Sequence, residues 1–278
     1  MFKSALKMNN GLLIPQIGYG TYQITDPAVI GKCIQWAWES GYRHIDTATF
    51  YKNEKAIGES LRKLSIPRNE IFITSKIWID DLSYEGAKRS IDGSLKRMQL
   101  DYIDLILMHW PGADSVDNRN GCWQAMEEYV ASGKVKSIGV SNFLPRHLES
   151  LLSACRIKPV VNQIEVNPLF VDHNTIDYCK KHNILIEAYT PFAKGSKHLM
   201  EHPKLLEVAK AHEKTIGQII MRWLIQLGFV VLPKSETKER IFKNFHVWDF
   251  ELSNEEMKFI LSLNENKKTT WNPEVVPR

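Results

Sequence analysis

The chain places side chains capable of proton transfer and polar recognition at the ends of apolar, strand-like runs. YRHIDT ends near Asp46, IFITSK on Lys76, and YIDLILMHW carries His109. IGVSN ends on Ser141 and Asn142, VVNQIE carries Gln163, ILIEAY ends on Tyr189, and FVVLPKS ends on Lys234 and Ser235. An acid, an amine, an imidazole, amides, a phenol and hydroxyls together could move a proton, steady a developing oxyanion and orient a polar ligand. Strands also stop at polar turns, so each residue has a plainer reading. Asp46 could cap a helix, Lys76 could face solvent, His109 could be a satisfied core histidine, Asn142 could simply end a strand, and Tyr189 could be core. So many ionisable types at successive strand ends are harder to attribute to turns alone.

These residues can meet only if the strands converge. Eight strand candidates begin near Ile17, Arg43, Ile71, Tyr102, Ser137, Val160, Ile184 and Phe229. Helical patterns lie between them over 27–40, 53–64, 84–98, 120–132, 145–154, 172–182, 203–210 and 216–227, and two more fall within 236–263. Asp26-Pro27 and Ser83 read as helix starts; Gly41, Gly133 and Gly228 stand where helices should stop. NNG at 9–11 forms the turn of an N-terminal hairpin expected to cover the bottom of a barrel. Repeated βα units favour a parallel sheet with helical cover. An open doubly wound sheet would carry a GxGxxG after an early strand, whereas the early glycines read GYGTYQ. The expectation is α/β, a (β/α)8 TIM barrel with an N-terminal β-hairpin, as one domain over 1–278. Strand ends then share one mouth, where the active sites of such barrels lie. The tail containing Trp271 either folds over that mouth or frays.

Composition narrows the function classes. At 278 residues and 44% hydrophobic, the chain can bury a barrel-sized core. A net charge of +4 without a basic block disfavours nucleic acid. Cys33, Cys122, Cys155 and Cys179 are widely spaced with no CxxC, and HExxH is absent, so no metal site is expected. No apolar run is long enough to span a membrane, and the first residues lack a secretory h-region. A cytoplasmic setting and a small-molecule ligand are expected.

GYGTYQ (18–23), GYRHIDTATFYKNE (41–54), SKIW (75–78), LDYIDLILMHWP (100–111), GKVKSIGVSNF (133–143), NQIEVNP (162–168), AYTPF (188–192) and LPKSETKER (232–240), in this order and spacing, resemble the aldo-keto reductase family, in particular its compact microbial members. The resemblance covers essentially the whole chain. It implies an NADPH-dependent oxidoreductase that reduces aldehydes and ketones to alcohols, acting as a monomer or a weakly associating barrel. It assigns a catalytic tetrad to Asp46, Tyr51, Lys76 and His109, with Tyr51 as proton donor. A tyrosine is a reluctant acid at neutral pH, and an ammonium at Lys76 would ease proton release. Ser141, Asn142 and Gln163 match positions that hold the carboxamide of the NADPH/NADP+ nicotinamide, Tyr189 matches the ring that stacks on it, and Asp46 and the first-loop residues Gly20, Thr21 and Tyr22 match positions that approach the cofactor and the pocket. Lys234, Ser235 and Arg240 match the surroundings of the adenosine 2′-phosphate, and Asn244 a position near adenine. Lys243 departs from the glutamate usual beside that asparagine; a lysine accepts no hydrogen bond. Tyr22, Phe50, Trp78, His109 and Trp110 match the substrate pocket, with Tyr22 in place of a common tryptophan. A small carbonyl compound is the implied partner. Two other functions share this scaffold: a cofactor-binding subunit of a membrane channel, and an alcohol dehydrogenase running the same chemistry in reverse.

Overall fold

A computed structural model describes residues 3–112 and 116–273; the remaining positions of the expected 1–278 domain lie outside the described residues. Two short antiparallel strands, β1 (Ala5–Lys7) and β2 (Leu13–Pro15), form the hairpin. Eight parallel strands follow: β3 (Tyr19–Gly20), β4 (His44–Asp46), β5 (Phe72–Ile77), β6 (Ile103–Met108), β7 (Val135–Ser141), β8 (Val161–Glu165), β9 (Leu185–Tyr189) and β10 (Val230–Leu232). They pair in sequence order. Closure comes from the first strand against the last: Ile17 bridges Val231, Gly18 N donates to Val231 O at 2.9 Å, and Gly20 N donates to Pro233 O at 3.0 Å. The sheet is therefore a barrel.

The expected first strand from Ile17 pairs regularly only at Tyr19–Gly20. Gly18 explains the thin seam, because a Cβ there would lie 2.6 Å from both His44 Nδ1 and Leu232 Cδ2. Only glycine lets the backbone come this close.

Helices α1 (Pro27–Ser40), α2 (Glu54–Lys63), α3 (Tyr84–Met98), α4 (Val116–Ala131), α5 (Pro145–Ala154), α6 (His173–Lys181), α7 (Lys197–Met200), α8 (Pro203–Ala211), α9 (Ile216–Gln226), α10 (Lys238–Phe245) and α11 (Asn254–Ser262) surround it. Asp26 caps α1 by accepting from Ala28 N and Val29 N, and Gly41 ends it at φ 107°. Ser83 caps α3 through Gly86 N. The expected helix at 120–132 starts earlier, at Val116. The polar Asn118-Arg119-Asn120-Gly121 run has weak helix propensity. Packing overrides it, since Gly121 sits tightly against the start of α3 at Tyr84.

Strand alternation divides the core into two parts. Outward residues such as Ile45, Ile73, Ile106, Ile138, Ile164 and Ile186 pack against the helices. At the barrel bottom, Met8 and Ile14 of the hairpin region plug an apolar layer of Phe72, Leu105, Leu107, Val161 and Val230. Further up, the inward positions turn polar: His44, Asp46, Thr74, Lys76, Gln163 and Glu187 are all buried. Burying so many polar groups is costly unless each is partnered, and the top of the barrel is where they are used. Among the described residues, no helix is long and apolar enough to cross a membrane.

Candidate active site

Asp46, Lys76 and His109 each end or follow a neighbouring parallel strand, so their side chains enter the same mouth. Tyr51 arrives from the short 3-10 turn Thr49–Tyr51 that follows β4. That turn is anchored from both sides. Thr49 Oγ1 donates to Lys76 O at 3.0 Å, and Thr47 Oγ1 donates to Asn53 Oδ1 at 2.6 Å. Asn53 Nδ2 in turn reaches Thr21 O and Ile24 O at 3.0 Å each.

Lys76 is 1% exposed and spends its three donors on three acceptors: Asp46 Oδ1 at 2.6 Å, Thr47 O at 2.8 Å and Tyr51 Oη at 3.3 Å. An ammonium with every proton matched can stay charged in a buried site. Because Tyr51 Oη accepts from Lys76, its own proton is left pointing elsewhere. Burial, followed by the Asp46 carboxylate, pushes the Tyr51 phenol well above its usual range. The ammonium therefore does not by itself ease proton release in the free protein; the phenol keeps its proton. Burial and the Lys76 charge hold His109 well below the usual imidazole range, so it is neutral. Its Nδ1 has no partner among the described residues.

These groups open into a cleft of about 1370 Å³ that runs from Trp78 and Trp110 past Tyr189 to Lys234, Arg240 and Asn244. Its reach from the aromatic residues to Arg240 and Asn244 leaves room for a dinucleotide with a small molecule at one end. Of the expected cofactor residues, Gly20, Tyr22, Asp46, Ser141, Asn142, Gln163, Tyr189, Lys234, Ser235, Arg240 and Asn244 line it. Thr21 does not: it is fully buried and binds Asp46 O through both N (3.1 Å) and Oγ1 (2.8 Å).

The amides are held in place. Asn142 sits at φ 63°, a conformation that asparagine tolerates better than most residues. Its Nδ2 donates to His109 O and Ser141 Oγ at 3.0 Å each, and its Oδ1 accepts from Tyr189 Oη at 2.7 Å. Gln163 Nε2 donates to Asp46 Oδ2 at 2.9 Å and Glu187 Oε2 at 2.7 Å, leaving Oε1 for a ligand. Gln163 Oε1 and the second lone pair of Asn142 Oδ1 are acceptors suited to the N–H groups of a carboxamide, while the Ser141 hydroxyl donates to Gln163 O at 2.8 Å and so helps hold the two strand ends together. Tyr189 presents a ring fixed through its hydroxyl.

At the other end, Lys234 pairs with Glu236 at 2.6 Å and Lys243 with Glu239 at 2.6 Å. Arg240 makes no salt bridge among the described residues. Lys243 is thus engaged along its own helix, and Arg240 on the same helix is left open to an anionic ligand.

The wall near Tyr51 is aromatic. Phe50 stacks on Trp78 with centroids 4.0 Å apart, and Trp271 lies 6.3 Å from Phe50 and 6.0 Å from Trp110. Tyr22, Phe50 and Trp271 are large rings at least one-third exposed, all on this cleft. A contiguous exposed apolar surface of this kind marks a binding site. Trp271 does not fray. Buried Glu165 anchors the preceding residues, accepting from Thr269 N at 2.9 Å, Thr270 N at 3.1 Å and Thr270 Oγ1 at 2.6 Å, with a further bond from the Thr269 hydroxyl at 2.5 Å. Thr270 Oγ1 also lies 3.1 Å from Tyr189 Oη, which ties the tail to the central ring.

Sequence reasoning named Trp271 as a tail residue that could reach the mouth, and missed Glu165, Glu187 and Thr270 as parts of this site. The two glutamates were within reach of the alternation rule: each lies two residues from a site residue on its own strand, Gln163 or Tyr189, and so on the same face. Nothing local pointed to the contact between Thr270 and Glu165. Asp104 on β6 pairs with Arg68 at 2.6 Å and takes no part in the cleft lining.

The model of the aldo/keto reductase family matches residues 16–265. The chain is 42% identical over 273 residues to a 9,11-endoperoxide prostaglandin H2 reductase of Trypanosoma cruzi, covering 98% of this chain and 95% of that protein. It is 40% identical over 272 residues to glyoxal reductase of Bacillus subtilis, covering 98% and 97%. An aldo-keto reductase from a Medee basin deep-sea metagenome superposes with a TM-score of 0.94 at 43% identity over 99% of this chain and 100% of that one. A Bombyx mori aldo-keto reductase in complex with NADP superposes with a TM-score of 0.90 at 33% identity over 97% and 95%. Sequence, fold and the order of the mouth residues agree: this chain belongs to the aldo/keto reductase family.

Proposed function

We propose that the protein is an NADPH-dependent reductase of aldehydes and ketones, with Tyr51 as the proton donor. The observation that carries this reading is Lys76 Nζ bridging Asp46 Oδ1 and Tyr51 Oη at the floor of an aromatic-walled cleft. Bound NADPH supplies the hydride that reaches the carbonyl carbon. Tyr51 Oη donates its proton to the carbonyl oxygen as charge develops there, and the Lys76 ammonium stabilises the phenolate left behind. Neutral His109 orients that oxygen as a hydrogen-bond donor. Ser141, Asn142 and Gln163 are the residues that would hold the carboxamide and Tyr189 the one that would meet the nicotinamide, while Phe50, Trp78, Trp110 and Trp271 wall the substrate end against water.

The similarity to glyoxal reductase and the NADP bound to the Bombyx mori neighbour support this choice of substrate class and cofactor. All four tetrad residues come from one chain, which supports a working monomer. Four free thiols suit a reducing, cytoplasmic setting. The test is a panel of carbonyls, including glyoxal, methylglyoxal and aromatic aldehydes, followed by NADPH absorbance with purified protein. Carbonyl-dependent NADPH oxidation is expected; none across the panel would refute the reading.

A further inference from the structure

Beneath the mouth, on β9, lies a carboxyl for which the proposed chemistry has no use. Glu187 is fully buried. Its Oε2 accepts from Gln163 Nε2 at 2.7 Å, and the same nitrogen donates to Asp46 Oδ2 at 2.9 Å. One amide nitrogen therefore holds two carboxyl groups side by side. Glu187 Oε1 has no hydrogen-bond partner among the described residues and lies 3.8 Å from His44 Nε2. The titratable groups facing Glu187 are His44 and Asp46 from β4, Lys76 from β5 and Tyr51 from the turn after β4.

Counting charges in this pocket leaves Glu187 without a counter-ion. Lys76 is matched by Asp46 at 2.6 Å. His44 cannot serve, because burial and the Lys76 charge push it down to about 3. Its Nε2 lies 2.9 Å from Thr74 Oγ1, within hydrogen-bonding distance. A second carboxylate would thus be buried and unpaired, which is expensive. Burial, with the neighbouring Asp46 carboxylate, accordingly pushes the Glu187 carboxyl up to about 8.

We infer that Glu187 is a positioning residue of the site: as a neutral carboxyl it fixes the Gln163 amide with Oε1 toward the ligand, and as a carboxylate it opposes carbonyl reduction. The second half rests on the reading of Tyr51 and Lys76 given above. Reduction passes negative charge from the carbonyl oxygen to Tyr51, next to Lys76. An additional anion on the far side of Asp46 weakens the field of that ammonium at the moment it is needed. A neutral Glu187 avoids this and still accepts the Gln163 hydrogen bond through Oε2.

Glu187→Gln keeps the shape and the acceptor and carries no charge at any pH. The first measurement is the infrared difference spectrum of wild type minus this variant, with no substrate present. A protonated-carboxyl stretch at about pH 6 that fades toward about pH 9 is expected; its absence at the lower pH would overturn the inference. The second is kcat/KM for reduction across the same range. The ratio of variant to wild type should rise by about tenfold with pH, as one nearby charge is removed; a constant ratio would overturn the kinetic half. Should the variant fail to fold, wild type alone serves. A raised folded-state value means that the stabilisation is complete below the ordinary glutamate range and is lost as pH rises through about 8. Activity and the infrared band should therefore fall together, and an alkaline loss of activity with the band intact would contradict the coupling. The infrared result stands whether or not the carbonyl panel yields turnover, so failure of the proposed function is separable from failure of this inference.

Discussion

Lys76 Nζ donates to Tyr51 Oη at 3.3 Å while also donating to Asp46 Oδ1 at 2.6 Å. The shorter bond fixes the ammonium, and the longer one leaves the phenol oxygen lightly held with its proton free to face a ligand. Lys76→Met retains the length of the side chain and removes the charge. It leaves the Asp46 carboxylate buried with Gln163 as its remaining donor. Breaking one partner of a buried pair costs about 3–5 kcal/mol, so denaturant unfolding should show a large loss of stability alongside a large fall in turnover. Stability and turnover near wild type would mean that Asp46 and Tyr51 do not depend on the ammonium.

Arg240 should read the 2′-phosphate that distinguishes NADPH from NADH. Lys234 and Lys243 are each held by a neighbouring glutamate at 2.6 Å, whereas the planar guanidinium is open to a phosphate. Arg240→Ala should weaken NADPH binding by roughly tenfold and NADH binding far less. Fluorescence titration with both cofactors checks this; equal losses would place phosphate recognition elsewhere.

Glu165 should control the substrate end through the tail. Glu165→Ala removes the acceptor for Thr269 and Thr270 and frees Trp271 from the aromatic wall. Amide exchange at 265–273 should accelerate, and KM for an aromatic aldehyde should rise several-fold, the scale of one lost aromatic contact at about 1 kcal/mol. Unchanged exchange in the tail would show that other contacts pin it.

Acid should destabilise the protein through its buried histidines. Burial holds His44 down to about 3 and His109 well below its usual range. A depressed folded-state value contributes stability above the ordinary histidine range, and that stability is lost as pH falls toward the folded-state value. Each histidine adds a slope of up to about 1.4 kcal/mol per pH unit in that window. Urea denaturation at stepped pH should show the decline, and His44→Gln should flatten it; an equal slope in the variant would remove His44 from the account.

The barrel was legible because alternation, caps and stops agreed along the chain: Asp26, Ser83 and Gly41 act where the sequence puts them. The mouth was legible because strand ends carry the chemistry, with Asp46, Lys76 and His109 each ending or following a strand. What escaped depends on distance in the chain. Thr269 and Thr270 meet Glu165 across more than 100 residues, and no local pattern announces that contact. Arg119 to Gly121 read as a poor helix start because propensity is local, while the packing of Gly121 on α3 is not. The downward pull expected on Tyr51 was outweighed because burial is invisible to spacing.

The central claim is that Tyr51 supplies the proton, and Tyr51→Phe tests it most directly. The substitution removes one hydroxyl and keeps the ring that packs beside Tyr22 and His109. The measurement is kcat for carbonyl reduction in the variant, with NADPH affinity titrated on the same sample. Losing a positioned general acid should lower kcat by about 100-fold or more, with cofactor affinity essentially retained. Carbonyl reduction at the wild-type rate by a variant that still binds NADPH would contradict the account.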